Sequence, residues 1–116
     1  MIDYKLWKEN IFSSINDISN IEFQEQSWLG KNGKYTSSCG EDISMLYDTF
    51  CFADDFWNEE HLENFGLSEK LLAQLRKLKE LIDNYQKKST DEETLKDPEW
   101  HKIVSQAKKI IQIWNS

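Results

Sequence analysis

Apolar residues recur at helical spacing between residues 68 and 88, and this pattern constrains the fold more than any other in the chain. The stripe consists of Leu71, Leu75, Leu78, Ile82 and Tyr85, which follow one another at intervals of 4, 3, 4 and 3 residues. Such intervals place all five side chains on one face of an α-helix. The pattern predicts a helix from Ser68, a suitable N-cap, to Lys88, with Lys87 and Lys88 in its last turn. Two heptads favour a helix within a bundle over a dimeric coiled coil.

Two further stretches show helical spacing near the ends of the chain. In the first stretch the apolar side chains are Tyr4, Trp7, Ile11, Ile15 and Ile18, at intervals of 3, 4, 4 and 3 residues. They predict a helix from Asp3 to Ile18, which Asp3 can cap. The pair Asp97-Pro98 places a capping residue before a proline, which suits the first helical position. It predicts a final helix whose apolar side runs from Trp100 to Trp114.

The middle of the chain is less regular. Helical spacing from Ile43 to Phe50 predicts a helix over residues 41–52, with two acidic residues in its first turn. A short helix is predicted from Glu59 to Phe65, ended by Gly66. Residues 21–38 contain the turn signal Asn32-Gly33 and are predicted to form a small hairpin or a structured loop. Residues 89–96 are predicted to be a polar linker.

These patterns predict an all-α fold, an irregular bundle of four or five helices. A length of 116 residues fits a single domain spanning residues 1–116. The chain is 39% hydrophobic and has five tryptophans spread along it, so every segment can contribute to one core.

Charge is unevenly distributed along the chain. Between Lys34 and Lys70 there is no lysine or arginine, whereas nine aspartates and glutamates fall in this segment. The remaining 12 acidic and 14 basic residues nearly cancel, so the segment carries −9 and the rest +2, for a net charge of −7. Aromatic residues are interleaved with the carboxylates, unlike in disordered acidic tails. The sequence therefore predicts an ordered, negatively charged surface.

This acidity argues against direct binding of nucleic acid or anionic membranes, because both require lysine and arginine to meet phosphate groups. We expect a basic protein as the partner. The first residues contain no apolar run of signal-peptide length, and no stretch of about 18 consecutive apolar residues occurs. We therefore expect a cytoplasmic protein in which Cys39 and Cys51 are free thiols.

The sequence carries no recognisable catalytic motif. It has no glycine-rich phosphate loop, no G-x-S-x-G elbow and no H-E-x-x-H. His61 and His101 are its only imidazoles, and neither has a second ligand at the spacing of a zinc site. We predict that the protein is not an enzyme and uses neither cofactor nor metal. A carboxylate-based metal-binding protein is an alternative, although the spacing and central glycine of an EF-hand are absent.

Protein recognition accounts for the mixture of acidic and aromatic residues. Aromatic side chains supply binding energy in interface cores, and surrounding carboxylates steer a basic partner. The candidate partner-binding residues are Glu41, Asp42, Tyr47, Asp48, Asp54, Asp55, Trp57, Glu59 and Glu60. Tyr47 and Trp57 are the predicted anchors, while Phe50, Phe52 and Phe65 are predicted to pack in the core. Nucleases are the leading basic partners, because their clefts are positive to hold phosphates.

The segment SWLGKNGKYTSSCGEDISMLYDTFCFADDFW, residues 27–57, resembles the middle of small acidic immunity proteins from bacterial toxin and immunity pairs, especially those of contact-dependent growth inhibition. The shared features, in order, are a Trp-Leu turn, a Tyr-x-Ser segment, an acidic helix start and an Asp-rich aromatic segment. The resemblance implies a cytoplasmic, non-catalytic protein that binds a cognate toxin domain, commonly a nuclease.

A second binding function is an alternative. A phage or plasmid protein that mimics nucleic acid, and so inhibits a restriction or regulatory protein, would share the acidic surface. Mimicry of a duplex, however, requires charge along a long face, and the predicted helices of residues 68–88 and 97–114 have mixed charge.

Overall fold

The computed structural model describes residues 2–30 and 37–115, and all regular structure in these ranges is helical. The α-helices there are α1 (Tyr4–Ile18), α2 (Ile21–Leu29), α3 (Cys39–Ser44), α4 (Glu59–Phe65), α5 (Glu69–Asp83), α6 (Asp91–Leu95) and α7 (Pro98–Trp114). A π-helix, Met45–Thr49, continues α3, and Asp55–Trp57 form a 3₁₀ turn. The all-α prediction is confirmed, but the described ranges hold seven α-helices rather than four or five. None of the helices in these ranges is both long and apolar enough to cross a membrane.

The predicted helix starts are confirmed by their caps. The side chains of Asp3, Ser68 and Asp97 each accept a hydrogen bond from a backbone N–H in the first turn of α1, α5 and α7. Pro98 opens α7 as predicted. Gly66 follows α4 with a left-handed φ of 65°, a conformation that suits glycine at the end of a helix. Local sequence therefore determines where these helices begin and where α4 ends.

Residues 21–29 form α2, so the predicted hairpin or loop is wrong for this stretch. Asn20 caps the helix by accepting a hydrogen bond from the Phe23 amide at 3.0 Å. The buried side of α2 carries Gln24 and Ser27 as well as Trp28, and these polar residues hide the helical period from a hydropathy pattern. The predicted turn at Asn32-Gly33 lies outside the described residues.

Two other predicted boundaries are wrong. Helix α5 ends at Asp83, so Lys87 and Lys88 lie beyond it rather than in its last turn. The predicted linker of residues 89–96 contains α6, which Thr90 caps and whose Leu95 is buried. With only five residues, α6 is too short to show a helical period.

The predicted helix of residues 41–52 begins two residues earlier and ends at Thr49. After Ser44 its hydrogen bonds widen to the π pattern, and the Phe50 amide donates to the carbonyl of Met45 at 3.0 Å. Cys51 then takes a left-handed φ of 60°. This ends the helix and turns the next residue, Phe52, into the core, where it is fully buried.

The core is built around α7, which packs against both α1 and α5. The predicted stripe of α5 is buried from Leu71 to Ile82, and Trp100 of α7 is fully buried. The Trp100 indole donates to Gln24 Oε1 at 3.0 Å. Gln24 Nε2 in turn donates to the carbonyls of Asp17 and Ile18 at 2.9 and 2.8 Å. One buried amide thus joins α7, α2 and the end of α1.

A cluster of aromatic rings holds the acidic segment on this core. Phe52 and Phe56 are fully buried, with ring centroids 5.3 Å apart. Phe56 stacks on Phe65 of α4 at 4.9 Å, and Phe65 meets Trp7 of α1 edge to face at 4.9 Å. Phe52 and Phe65 therefore lie in the core, as predicted, while Phe50 is half-buried at its edge.

Candidate protein-binding surface

The nine predicted contact residues differ in exposure. Six of them are exposed carboxylates: Glu41, Asp48, Asp54, Asp55, Glu59 and Glu60. Asp42, Tyr47 and Trp57 are half-buried and have partners within the fold. The exposed group is available to a partner, and the half-buried group supports the surface from below.

Asp42 holds α2 against α3. Its Oδ2 accepts a hydrogen bond from the Trp28 indole at 2.7 Å and lies 3.3 Å from the hydroxyl of Ser37. Burial raises the pKa of Asp42, although both hydrogen bonds favour the charged form. Asp42 in turn adds to the rise that burial causes in the pKa of Asp17. The Asp42 carboxylate therefore forms its hydrogen bonds within the fold.

Tyr47 ties the π-helix to α5. Its hydroxyl donates to Asp83 Oδ1 at 2.7 Å and lies 3.0 Å from the carbonyl oxygen of Lys79. Burial, followed by the hydrogen bond to Asp83, raises the pKa of Tyr47 well above its usual value. The predicted anchor is therefore mainly a structural tether.

Trp57 is packed into the edge of the aromatic cluster. Its indole donates to the carbonyl of Phe52 at 2.8 Å, and its ring meets Phe56 edge to face at 4.9 Å. The guanidinium of Arg76, on α5, lies over the ring, with Cζ 5.4 Å from the centroid. Sequence reasoning missed this cation, because Arg76 is distant along the chain and only tertiary packing brings it to the segment.

Asp48, Asp54 and Asp55 flank Cys51 in the chain, and their charges act on its thiol. Burial is the largest cause of the raised pKa of the Cys51 thiol, and the charges of Asp55, Asp54 and Asp48 raise it further. Asp54 also caps the 3₁₀ turn by accepting a hydrogen bond from the Asp55 amide at 2.6 Å. The fold therefore gathers these three carboxylates on one short stretch of surface.

Glu59 and Glu60 continue the same surface into α4. Both lie in its first turn, where the helix dipole favours negative charge, and Asn58 caps that turn. Helix α4 packs against the 3₁₀ turn. We call Asp48, Asp54, Asp55, Glu59 and Glu60 the acidic rim. Within the described ranges, no member of the acidic rim forms a salt bridge with a lysine, arginine or histidine.

Glu41 and Asp42 belong to a different neighbourhood. The charges that act on Asp42 are those of Glu41 and of Asp91, at the start of α6. The predicted site thus separates into the acidic rim around Cys51 and a second group where α3 approaches α6.

The backbone is irregular where the acidic rim lies. The π-helix, the left-handed Cys51 and the 3₁₀ turn follow one another between residues 45 and 57. Among the described residues other than glycine, only Cys51 has a positive φ. A π-helical turn and a left-handed non-glycine residue both cost stability and occur preferentially at functional sites. The irregular backbone and the concentration of negative charge therefore both single out residues 45–57 as the candidate site.

Both histidines have hydrogen-bond partners within the fold, and one of the two thiols is buried. His61 shares a hydrogen bond of 2.8 Å with the Tyr4 hydroxyl, and His101 Nε2 lies 2.6 Å from the carbonyl of Leu95. Cys39 is buried, which raises the pKa of its thiol to about 12 and disfavours the nucleophilic thiolate. In residues 2–30 and 37–115, no three or more histidine, cysteine, aspartate or glutamate side chains are grouped to hold a metal ion.

Comparisons of the chain with protein-family models, with curated protein sequences and with solved structures gave no match.

Proposed function

We propose that this chain is an immunity protein that binds and neutralises a cognate bacterial toxin, a nuclease, through its acidic rim. The observation that carries the proposal is the acidic rim itself: five exposed carboxylates that form no salt bridge with another residue of the described ranges, held on an ordered and irregular stretch of backbone. Like charges placed together on a surface destabilise a monomer. A partner that supplies lysine or arginine relieves this repulsion.

A nuclease is the partner class that the charge favours. Its cleft is positive because it must hold the phosphates of its substrate. An acidic surface steers association with such a cleft and raises the on-rate by roughly 10 to 10³ fold. The cell that makes the toxin requires fast capture, because free toxin can act on its own nucleic acid.

The proposed contact residues are the acidic rim, with the exposed edge of Trp57 as an aromatic anchor, and Glu41 in the separate group where α3 approaches α6. Asp42 and Tyr47 hold α2, the π-helix and α5 in place and act on the partner only through the position of the surface. Contact residues are distinguished from supporting residues by their exposure and their hydrogen bonds. The contact residues are therefore fewer than the nine that the sequence predicted.

The proposal is tested by capture followed by neutralisation. The tagged protein is used to capture partners from a lysate of its source cell, and the partner is identified, purified and assayed for toxicity with and without the protein. We expect a basic partner that degrades nucleic acid and whose activity falls in proportion to complex formation. A captured partner with no toxic activity, or one whose activity the protein leaves unchanged, contradicts the proposal.

Charge reversal then locates the contact. Asp54→Lys/Asp55→Lys should weaken binding of the purified partner by about a hundredfold or more, because it removes two attractive charges and adds two repulsive ones. The matched control is Glu92→Lys/Glu93→Lys in the first turn of α6, where two exposed carboxylates are likewise adjacent. Equal effects in titration calorimetry would overturn the assignment of the contact to the acidic rim.

A further inference from the structure

A groove of about 410 Å³ lies beside the acidic rim, between the first turns of α1 and the end of the π-helix. Ile2, Leu6 and Trp7 line one side of it, and Thr49, Phe50 and Cys51 line the other. Ile2 and Leu6 are 47% and 52% exposed. Apolar side chains left open together on a surface mark sites of interaction. Sequence spacing does not reveal the groove, because its two sides are about forty residues apart in the chain.

Three polar groups that face the groove have partners within the fold. The Trp7 indole donates to the carbonyl of Phe50 at 2.6 Å, and the Leu6 amide donates to Asp3 Oδ1 at 3.0 Å. The Cys51 thiol lies 3.7 Å from the carbonyl of Asp48, to which it donates. The groove therefore offers apolar walls rather than a row of free backbone groups. It suits an inserted side chain and not an added strand.

The mouth of the groove is negative. Asp3 is the charged residue among those that line it, and the negative charges of Asp55, Asp54 and Asp48 act on Cys51 at its far side. An apolar side chain that enters the groove thus brings its neighbours in sequence close to these carboxylates. Lysine or arginine at those neighbouring positions would be attracted, and aspartate or glutamate would be repelled.

We propose that this groove is the docking site for a segment of a basic partner protein that inserts a large apolar side chain flanked by lysine or arginine. The inference rests on the proposed function and names how its partner is recognised. A volume near the lower end of the range for ligand pockets, about 300–1,000 Å³, suits one or two side chains rather than a whole helix. A second copy of this chain is disfavoured as the occupant, because a two-fold contact would oppose one acidic mouth to another.

The test uses a short synthetic peptide in which a leucine is flanked on both sides by lysines, titrated into the ¹⁵N-labelled protein. We expect chemical-shift changes at the Trp7 indole, which Trp7→Phe identifies, and at the amides that line the groove. The same peptide with glutamate in place of lysine should bind at least about tenfold more weakly, and so should a lysine peptide with serine in place of leucine. Changes centred elsewhere, or equal binding of the three peptides, would overturn the proposal.

Two variants distinguish peptide binding in the groove from nonspecific binding to exposed apolar side chains. Leu6→Gln should weaken binding of the leucine–lysine peptide about tenfold. Met45→Gln should leave it nearly unchanged, since Met45 is also 47% exposed but does not line the groove. Equal losses would refute docking in the groove. Should Leu6→Gln disturb α1, Ile2→Gln serves in its place, because Ile2 precedes the helix.

The outcomes also distinguish this inference from the proposed function. Neutralisation of a basic toxin that depends on Asp54 and Asp55 but is insensitive to Leu6→Gln would refute the groove and leave the function standing. Peptide binding in the groove, with no toxic partner captured, would support the groove as a docking site and count against the proposed function. Self-association that Leu6→Gln abolishes, measured by sedimentation, would assign the groove to a second copy and refute the basic partner.

Discussion

Two carboxylates, half-buried Asp42 and buried Asp97, respond to the fold in opposite ways. Burial raises the pKa of Asp42 in spite of its hydrogen bond from Trp28. Burial also opposes the ionisation of Asp97, whose side chain is 8% exposed, but hydrogen bonds from Tyr85 and the Glu99 amide, with Lys88 nearby, lower its pKa. The number and charge of the partners, rather than burial alone, decide which form of a carboxyl the folded state prefers.

This difference gives Asp42→Asn and Asp97→Asn opposite pH dependence. A raised folded pKa means that the charged form costs stability once the pH exceeds the ordinary carboxyl value of about 3.9. A lowered folded pKa means that the carboxylate adds stability above that value, which is lost as the pH falls through the folded pKa. From about pH 3 to pH 7, Asp42→Asn should therefore gain stability relative to the parent protein, and Asp97→Asn should lose it. Urea unfolding at both pH values measures the change, and shifts of the same sign would contradict it.

Cys51 has a left-handed backbone conformation, with a φ of 60°. A left-handed φ costs a residue with a Cβ roughly 1–2 kcal/mol, and glycine avoids this cost. Cys51→Gly and Cys51→Ala both remove the thiol, but only glycine relieves the backbone. We expect the glycine variant to be more stable than the alanine variant by about 1 kcal/mol, measured by thermal and urea unfolding. An alanine variant as stable as the glycine variant would show that the strain is absent.

At the scale of elements, short helices are held by partners distant in sequence. Helix α2 depends on Gln24, whose amide bonds to the end of α1 and to Trp100 of α7. Helix α3 depends on Asp42 and Trp28. An isolated helix of six or nine residues is marginal in water, so these contacts rather than propensity stabilise it.

The contact between Gln24 and Trp100 can be measured with a double-mutant cycle. Trp100→Phe leaves the Gln24 carbonyl oxygen buried without a donor. Gln24→Leu leaves the indole N–H without an acceptor and also removes the donor to the carbonyls of Asp17 and Ile18. Trp100→Phe should cost about 1–3 kcal/mol in the free energy of unfolding, beyond any cost of a cavity, and Gln24→Leu should cost more. The double variant should lose less than the sum by about 1 kcal/mol, because both groups are then gone. Additive losses would show that the hydrogen bond contributes nothing.

At the scale of the whole molecule, charge is segregated rather than balanced. The net charge is −7, and the acidic rim lies on one surface without salt bridges in the described part of the chain. Elsewhere carboxylates are paired, as in Glu92 with Lys96 at 3.3 Å. The folded monomer therefore bears a local repulsion that salt can screen.

Stability should consequently rise with ionic strength. Between about 10 mM and 300 mM NaCl the Debye length falls from about 30 Å to below 10 Å, which screens repulsion within the acidic rim. We expect the melting temperature to rise, and Asp54→Asn/Asp55→Asn to reduce this rise. Glu92→Gln/Glu93→Gln is the control. It should not reduce the rise in melting temperature, because it removes the attraction between Glu92 and Lys96 rather than a repulsion. A melting temperature independent of salt in the parent protein would contradict the assigned repulsion.

The sequence by itself determined the long helices and the segregation of charge. The stripes of α1, α5 and α7 and the caps at Asp3, Ser68 and Asp97 depend on residues within a few positions of each other, so one-dimensional spacing reveals them. The concentration of carboxylates between residues 35 and 69 is likewise a property of composition.

The tertiary structure alone decided which of those residues form a surface. It turned Asp42 and Tyr47 toward Trp28 and Asp83, placed Arg76 on Trp57, and assembled the groove from two distant segments. It also formed α2, whose buried face is partly polar. The physical reason is common to all of these: each depends on partners far apart in the chain, and burial of a polar side chain becomes favourable only when such a partner completes its hydrogen bonds.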